Sequence, residues 1–261
     1  MLDLVRLSPE AVFPPGGMAL YRQLAQLTEM AEGQEVLDVA CGRGVTTRFL
    51  VKTYGVEGSG VDVDANLVRE AEERTRTEEL FGRAHFQSGP LEDLPYRDAI
   101  FDVAIGELGL AASPDPARAI RELARVTRPG GAVVLIQLTW TGNVQPEWRE
   151  ILVQHLGARP MLLVEWKQWL REAGVVDLVV DDWSDEPSPF RPTAATPLHD
   201  LAAMSNLRQT AGLLRRAVGR WGWRGVKGAL LREQEVHRLL SRERVLGLSL
   251  IKGVRWGGGS D

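Results

Sequence analysis

Short apolar runs alternate with amphipathic stretches along the first half of the chain. Five runs have the length and composition of buried strands, at residues 35–40, 57–62, 84–88, 101–106 and 132–138. Apolar positions recur at helical spacing before and between them, over residues 17–31, 45–53, 65–79 and 114–128. Strands separated by helices predict a parallel, doubly wound sheet whose ligand crevice lies at the carboxyl ends of the strands.

The pattern changes after residue 139. A helix is predicted near 163–173, followed by the apolar run VVDLVVDDW, a Pro/Ser-rich connection and a long helical tract over 198–242. Residues 244–256 alternate enough to form a closing strand. We therefore expect a core of residues 1–183 and 244–256, and a helical cap of residues 184–243 inserted before the last strand.

Composition and charge exclude several classes of protein and of site. The 261 residues carry a net charge of −4 and 25% charged side chains, which suggests neither disorder nor a global nucleic-acid footprint. The single cysteine, Cys41, excludes an intramolecular disulfide and a multi-cysteine metal site. Neither a signal peptide nor an apolar run long enough to span a membrane is evident, so a cytoplasmic location is the expectation.

The stretch VLDVACGRGVTTRFL, residues 36–50, places two glycines between a strand and a helix. Such a turn is either an ordinary tight turn or a site where a ligand approaches the backbone at a helix N-terminus. Asp62 ends the next strand, 18 residues after Gly44, where nucleotide-binding Rossmann units hold a ribose. That leaves two cofactor classes, a dinucleotide or S-adenosylmethionine. Thr47 stands where a dinucleotide fingerprint needs a third glycine, and Asp38 ahead of the turn suits a cationic ligand.

Four motifs carry a family resemblance. In chain order they are VLDVACGRG, GSGVDVD, LEDLPYRDAIFDVAI and IRELARVTRPGGAVVL. They resemble the signature motifs of class I S-adenosylmethionine-dependent methyltransferases, and are most similar to the small-molecule branch that includes the ubiquinone/menaquinone C-methyltransferases (methyltransferase type 11-like). The resemblance covers roughly residues 15–138. It implies S-adenosyl-L-methionine as cofactor and an α/β, doubly wound, Rossmann-like seven-stranded sheet with an antiparallel last strand.

The resemblance also implies cofactor-binding residues. The glycine-rich loop that touches the methionine portion corresponds to Asp38, Ala40, Gly42 and Gly44. The ribose acid, the residue packed on the adenine and the loop framing its edge correspond to Asp62, Val63, Leu91 and Glu92, and the end of the fourth strand to Gly106 and Glu107. Two positions depart from the pattern: Ala40 replaces a common glycine, and Pro90 replaces an aspartate that bonds the adenine amino group.

The chemistry predicted is methyl transfer from S-adenosylmethionine to a small-molecule acceptor; the alternative is a non-catalytic binding module that retains the fold. No catalytic base is assigned. The candidates are Glu107, His199 and His237, while Tyr21 either faces the cofactor or packs in the core. No metal is predicted.

The predicted cap is strongly basic, which bears on the acceptor. Residues 207–244 carry ten basic and three acidic side chains. They form either a solvated face, or a surface for an anionic or lipid-like acceptor or for peripheral membrane contact. A nucleic-acid acceptor is not expected, because Gly106-Glu107-Leu108-Gly109 replaces the motif of amino-directed nucleic-acid methyltransferases.

Overall fold

The structure is a computed structural model, and it describes residues 15–142, 144–184 and 243–258, together with residues 218, 219, 222, 223, 236, 238 and 239. The strands are β1 (Glu35–Val39), β2 (Glu57–Asp62), β3 (Ala84–Ser88), β4 (Phe101–Gly106), β5 (Thr127–Trp140), β6 (Met161–Leu162), β7 (Val175–Asp182) and β8 (Leu246–Arg255). The helices are α1 (Gly17–Leu27), α2 (Val45–Tyr54), α3 (Ala65–Thr77), α4 (Pro116–Val126), α5 (Pro146–Leu156) and α6 (Leu163–Glu172). A short 3₁₀ helix spans Leu108–Ala112.

All the strands belong to one mixed sheet. Its order is β3-β2-β1-β4-β5-β8-β7, and the two-residue β6 pairs with the carboxyl end of β5. Strand β8 runs antiparallel to both of its neighbours, and the other pairs are parallel. The strand order reverses between β1 and β4, which is the switch point where open α/β sheets bind ligands. The predicted doubly wound sheet with an antiparallel last strand is confirmed, with β6 as an unpredicted eighth strand.

The helices cover the sheet on both faces. Residues of α1, α2 and α3 pack against one face, and those of α4 and α6 against the other. In β5, Val134 and Ile136 belong to the first cluster and Val133 and Leu135 to the second, as the two-residue period of a strand requires. Strand β5 is therefore apolar on both sides over residues 132–136, which explains the run of five apolar residues there.

Most element predictions are confirmed, with shifts at the ends. Helix α4 begins as its sequence signal predicts: Asp115 accepts a hydrogen bond from the Arg118 N–H, and Pro116 is the first helical residue. Strand β5 begins earlier than predicted, at Thr127, because the Pro-Gly-Gly turn is absorbed as an irregularity in its pairing with β4.

Helix α5 was not predicted, and the predicted cap is largely untested. Of α5 only Leu152 is buried, so its sequence shows no clear apolar stripe. Residues 184–243 fall almost entirely outside the described residues. Those of them that are described include Val236 and Leu239, which pack with Leu152 and the start of β8. In the described part of the chain, no helix is long and apolar enough to cross a membrane.

Candidate functional site

The glycine-rich turn joins β1 to α2 at the switch point of the sheet. The backbone N–H groups of Ala40 and Cys41 both donate to the Val61 carbonyl, at 2.8 and 3.1 Å, which ties the turn to β2. Gly44 precedes α2 in the left-handed conformation, with φ of +63°. A Cβ on Gly44 would lie 2.5 Å from the Phe86 ring, so this position also requires the absence of a side chain.

Asp62 ties the end of β2 to this turn. Its Oδ2 accepts a hydrogen bond from the Gly42 N–H at 2.8 Å, and its Oδ1 accepts one from the Asp64 N–H at 2.9 Å. The side chain is thus held rigidly, and the residue is only 8% exposed. Each carboxylate oxygen has a second lone pair and can accept a further hydrogen bond.

Asp38 lies completely buried in β1, beneath the turn. Its Oδ2 accepts a hydrogen bond from the Thr47 hydroxyl at 2.7 Å, whereas its Oδ1 is buried and has no hydrogen-bond partner among the described residues. Burial, and to a lesser degree the nearby Glu107 and Asp62, raises the pKa of Asp38 well above its usual range. A cationic group reaching Asp38 would remove this penalty.

Glu107 follows β4, the strand next to β1, and is 4% exposed. The Tyr21 hydroxyl of α1 lies 2.8 and 2.9 Å from its two carboxylate oxygens, and the Thr46 hydroxyl donates to Oε1 at 2.9 Å. Burial raises the pKa of Glu107 to about 7, although both hydroxyl donors lower it. Glu107 can therefore exchange a proton near neutral pH.

The three acids make this edge of the sheet negative. None of their hydrogen-bond donors within the described residues is a lysine, arginine or histidine; the donors are hydroxyl and backbone N–H groups. Buried carboxylates are normally paired with a positive charge. The site therefore suits a ligand that brings its own positive charge, as the sulfonium and ammonium groups of S-adenosylmethionine do.

The other predicted site residues differ in whether their side chains are exposed to a ligand or packed in the protein. Val63 is 66% exposed beside Asp62, so its side chain is free for flat apolar contact. Leu91 is buried in the core and can offer only its backbone, while Glu92 accepts a hydrogen bond from the Ser113 hydroxyl. Packing requires a glycine at position 106, because a Cβ there would lie 2.8 Å from the Leu135 side chain. Ala40 adopts a φ of +64°, a strained conformation for alanine.

Sequence reasoning named Tyr21 and Thr47 without their contacts to the acids, and it missed Thr46 and Gln137. Thr46 and Thr47 follow the glycines in the first turn of α2, and Gln137 interrupts the apolar run of β5. The amide nitrogen of Gln137 donates to the Gly106 and Glu107 carbonyls, at 3.1 and 2.8 Å. A polar residue in an otherwise apolar strand was the available signal. His199 and His237 lie outside the described residues.

Comparison with known proteins decides the family. Residues 37–135, which span the glycine turn through most of β5, match the family model described as methyltransferase domain. The chain contains a class I S-adenosylmethionine-dependent methyltransferase domain. Its cofactor is S-adenosylmethionine, and the domain is that of an enzyme.

Two curated relatives of this domain are named as methyltransferases. The chain is 27% identical over 206 residues to the methyltransferase GfsG of Streptomyces halstedii, covering 74% of this chain and 71% of the relative. It is 26% identical over 211 residues to the chloroplastic tocopherol O-methyltransferase of Arabidopsis thaliana, covering 76% of this chain and 56% of the relative. The matched region is therefore little more than half of the second protein.

Solved structures share the fold. The [4+2]-cyclase SpnF superposes with a TM-score of 0.70 and 23% identity, over 92% of this chain and 80% of the cyclase. The geranyl diphosphate C-methyltransferase of Streptomyces coelicolor A3(2) superposes with a TM-score of 0.68 and 16% identity, over 91% of this chain and 79% of that one. At these identities the likeness shows the fold alone.

Proposed function

We propose that this chain transfers a methyl group from S-adenosylmethionine to a small-molecule acceptor, using the cleft between β1 and β4. One observation carries the proposal. Three largely buried carboxylates meet at the switch point without a basic partner among the described residues, and the Oδ1 atom of Asp38 has no hydrogen-bond partner. A cationic cofactor fits this arrangement, and a diphosphate does not. No observation favours the non-catalytic alternative.

The residues present would hold the cofactor in three places. Asp62, whose two oxygens are already oriented by backbone N–H groups, would accept hydrogen bonds from the ribose hydroxyls. Asp38 and the turn from Gly42 to Gly44 would contact the charged methionine portion. Val63 and the backbone of Leu91 and Glu92 would border the adenine, where Pro90 offers neither a carboxylate nor an N–H.

The chemistry needs alignment and, for a protic acceptor, a base. When bound, S-adenosylmethionine supplies an activated methyl group on a sulfonium centre. The chain orients the acceptor in line with that group, an effect worth up to roughly 7–11 kcal/mol. We assign Glu107 as the group that takes the acceptor's proton, because it lies at the tip of β4 with a pKa of about 7. Tyr21 and Thr46 fix the orientation of its carboxylate.

The acceptor is a small molecule in this proposal, and an anionic or lipid-like one agrees with the basic residues of 207–244. Two structural neighbours point the same way, since their titles name geranyl diphosphate and phosphomonomethylethanolamine as bound molecules. The [4+2]-cyclase among the neighbours means that the fold does not decide the reaction. Methyl transfer rests instead on the matching family model and on the site.

The test is to replace Asp62 by alanine and measure cofactor affinity. A hydrogen bond to a charged group contributes roughly 1.5–3 kcal/mol, so the variant should bind S-adenosylmethionine about tenfold more weakly or worse. Asp98→Ala is the matched control, because Asp98 is exposed at the opposite, amino-terminal edge of β4. Isothermal titration calorimetry with S-adenosylmethionine and with its demethylated product measures both variants.

A radiolabelled methyl-transfer screen across metabolite classes then tests turnover. NADH is the negative control ligand, because Thr47 bonds Asp38 where a dinucleotide site needs glycine. Unchanged cofactor affinity in a folded Asp62→Ala protein, or NADH binding without binding of S-adenosylmethionine, would overturn the proposal.

A further inference from the structure

A second cleft lies beyond the carboxyl end of β5. It has a volume of about 490 Å³ and opens between α5 and the segment that leads through β6 into α6. Two arginines, Arg149 of α5 and Arg159 of the following loop, line it together with Trp140 and Met161. The cleft is thus apolar on one side and carries two guanidinium groups.

Arg149 is half-buried and has no ion-pair partner among the residues that the structure describes. Its guanidinium carbon stands 5.4 Å from the centre of the Trp140 ring, a cation–π contact that keeps the group over the aromatic face. Its Nε is buried and has no hydrogen-bond acceptor, and Arg149 makes no ion pair with any residue that the structure describes. A partly desolvated guanidinium is usually satisfied by a carboxylate or a phosphate.

The acids of the same cleft are engaged elsewhere. Oε2 of Glu165 accepts a hydrogen bond from the Leu162 N–H at 2.7 Å, as part of the N-terminal cap of α6. Oε1 of Glu150 accepts one from the Gln154 side chain at 2.6 Å, within α5. Neither carboxylate bonds Arg149 or Arg159, so within the described part of the chain no acid occupies the donors of the two guanidinium groups.

The cleft is connected to the proposed methyl-transfer site through two elements. Strand β5 carries Gln137, which bonds the backbone of Glu107, and reaches Trp140 three residues later, a distance of about 10 Å along the strand. The Arg159 N–H donates to the Ala111 carbonyl at 3.2 Å, which joins the cleft to the 3₁₀ helix that follows Glu107. Both elements place the cleft beside the carboxyl end of the sheet, where the proposed methyl-transfer site lies.

We propose that Arg149 and Arg159, over the face of Trp140, form a subsite for an anionic group of the acceptor, a phosphate or a carboxylate. This inference rests on the proposed function, because it assigns the chemistry of the acceptor that the methyl-transfer site would use. Arg149 makes a planar pair with the anion, and Arg159 closes it from the solvent side. The apolar part of the acceptor then lies along Met161, towards Glu107.

The experiment measures anion binding to the full chain saturated with S-adenosylhomocysteine, at constant ionic strength. The probes are inorganic phosphate, pyrophosphate and malonate, and isothermal titration calorimetry measures their binding. Arg149→Gln should weaken the bound probe about tenfold or more, because it removes the charge and the planar fork. Arg149→Lys keeps the positive charge but loses the planar fork, so its affinity for the probe should lie between those of the wild type and of Arg149→Gln. The matched control is Arg121→Gln, on the exposed side of α4.

Binding of phosphate or pyrophosphate alone would assign a phosphate group, and binding of malonate alone a carboxylate. Absence of binding of all three probes at millimolar concentration, or an equal loss in Arg121→Gln, would overturn the subsite. Arg159 is exposed, so Arg159→Gln supplies a second variant that does not perturb the core. Failure to bind S-adenosylhomocysteine at all would overturn the proposed function instead, which keeps the two outcomes distinct.

Discussion

Burial without a counter-ion distinguishes the acids of this site from the many surface carboxylates of the chain. Asp38 and Glu107 are surrounded by apolar packing and hydroxyl groups, and the charge of Glu107 adds to burial in raising the pKa of Asp38. Keeping these carboxyl groups away from water lowers the stability of the cofactor-free protein, and binding of a cationic ligand offsets that cost. This is the physical basis on which a residue such as Glu107 acquires a pKa suited to proton transfer.

The rate of methyl transfer should therefore follow the ionisation of Glu107. With a protic acceptor found in the screen, kcat/KM for S-adenosylmethionine, which reports the cofactor-free protein, should rise with pH through about 7, since only the deprotonated carboxylate accepts a proton. Glu107→Gln should lower it by about 10²–10⁴-fold and remove this dependence. Tyr21→Phe deletes a donor that lowers the pKa of Glu107, so its profile should move to higher pH. A profile for Glu107→Gln identical to that of the wild type would refute the assignment.

At the scale of elements, the site is made by strand ends and held by their neighbours. Strands β1, β2 and β4 bring Asp38, Asp62 and Glu107 to one edge because they are parallel and adjacent. The first turn of α2 supplies two hydroxyl groups, and α1 supplies Tyr21. Strand β5 contributes no acid, yet Gln137 holds the tip of β4 by two hydrogen bonds.

Replacing Gln137 by methionine should separate positioning from cofactor binding. The change removes one hydrogen bond from each of two carbonyls, of which that of Glu107 keeps its bond from the Leu110 N–H, at a cost of roughly 1–3 kcal/mol in stability. Because Glu107 then loses its fixed position, kcat should fall while the affinity for S-adenosylmethionine stays within about twofold. Gln168→Met is the control, since Gln168 is exposed on α6 and bonds only Glu172 there. An unchanged kcat would show that the Gln137 hydrogen bonds are only structural.

At the scale of the whole molecule, the raised pKa of Glu107 makes the stability of the fold depend on pH. The native state holds a proton on Glu107 up to about pH 7, whereas the unfolded chain releases it near 4.5. Between these values the native state binds more protons than the unfolded state, so stability falls as pH rises. Asp38, whose pKa is also raised, contributes in the same direction.

The cofactor-free protein should thus be less stable at pH 8 than at pH 5.5. Integrated between these two pH values, the loss due to Glu107 is about 2 kcal/mol, and urea unfolding at pH 5.5 and pH 8 measures it. The glutamine of Glu107→Gln cannot ionise, so this variant should lose correspondingly less stability between pH 5.5 and pH 8. Saturating S-adenosylmethionine should stabilise the wild type more at pH 8 than at pH 5.5. Equal losses in wild type and variant would place the effect in other groups.

The second prediction at this scale concerns residues 186–243, which we expect to cover the carboxyl end of the sheet and line the acceptor site. The ends of this tract are adjacent in the fold: the Trp183 N–H donates to the Leu248 carbonyl at 2.7 Å, and Ser184 Oγ accepts from the Leu248 N–H. A short Gly/Ser linker can therefore replace the tract without straining the sheet. Cofactor affinity should be retained and methyl transfer lost, measured by calorimetry and by radiolabel transfer. Unchanged turnover would show that the tract is not the acceptor cover.

The fold class, the family and the identity of the acids were all accessible from local patterns. Apolar periodicity located β1 to β4, and the two glycines with Asp38 and Asp62 identified the cofactor class. Helix α5 was missed because a single buried leucine leaves no stripe to detect. Strand β5 was placed too short, because Pro-Gly-Gly ordinarily ends regular structure.

The sequence by itself thus determined which residues could serve the site, since turn chemistry and hydrophobic period are local properties. Only the tertiary structure decided which partners they have. Tyr21 and Glu107 are 86 positions apart, and their hydrogen bond depends on α1 packing beside the end of β4. The pairing of Thr47 with Asp38 and the raised pKa of Glu107 likewise arise from burial. Burial is a property of the assembled core, and no local pattern encodes it.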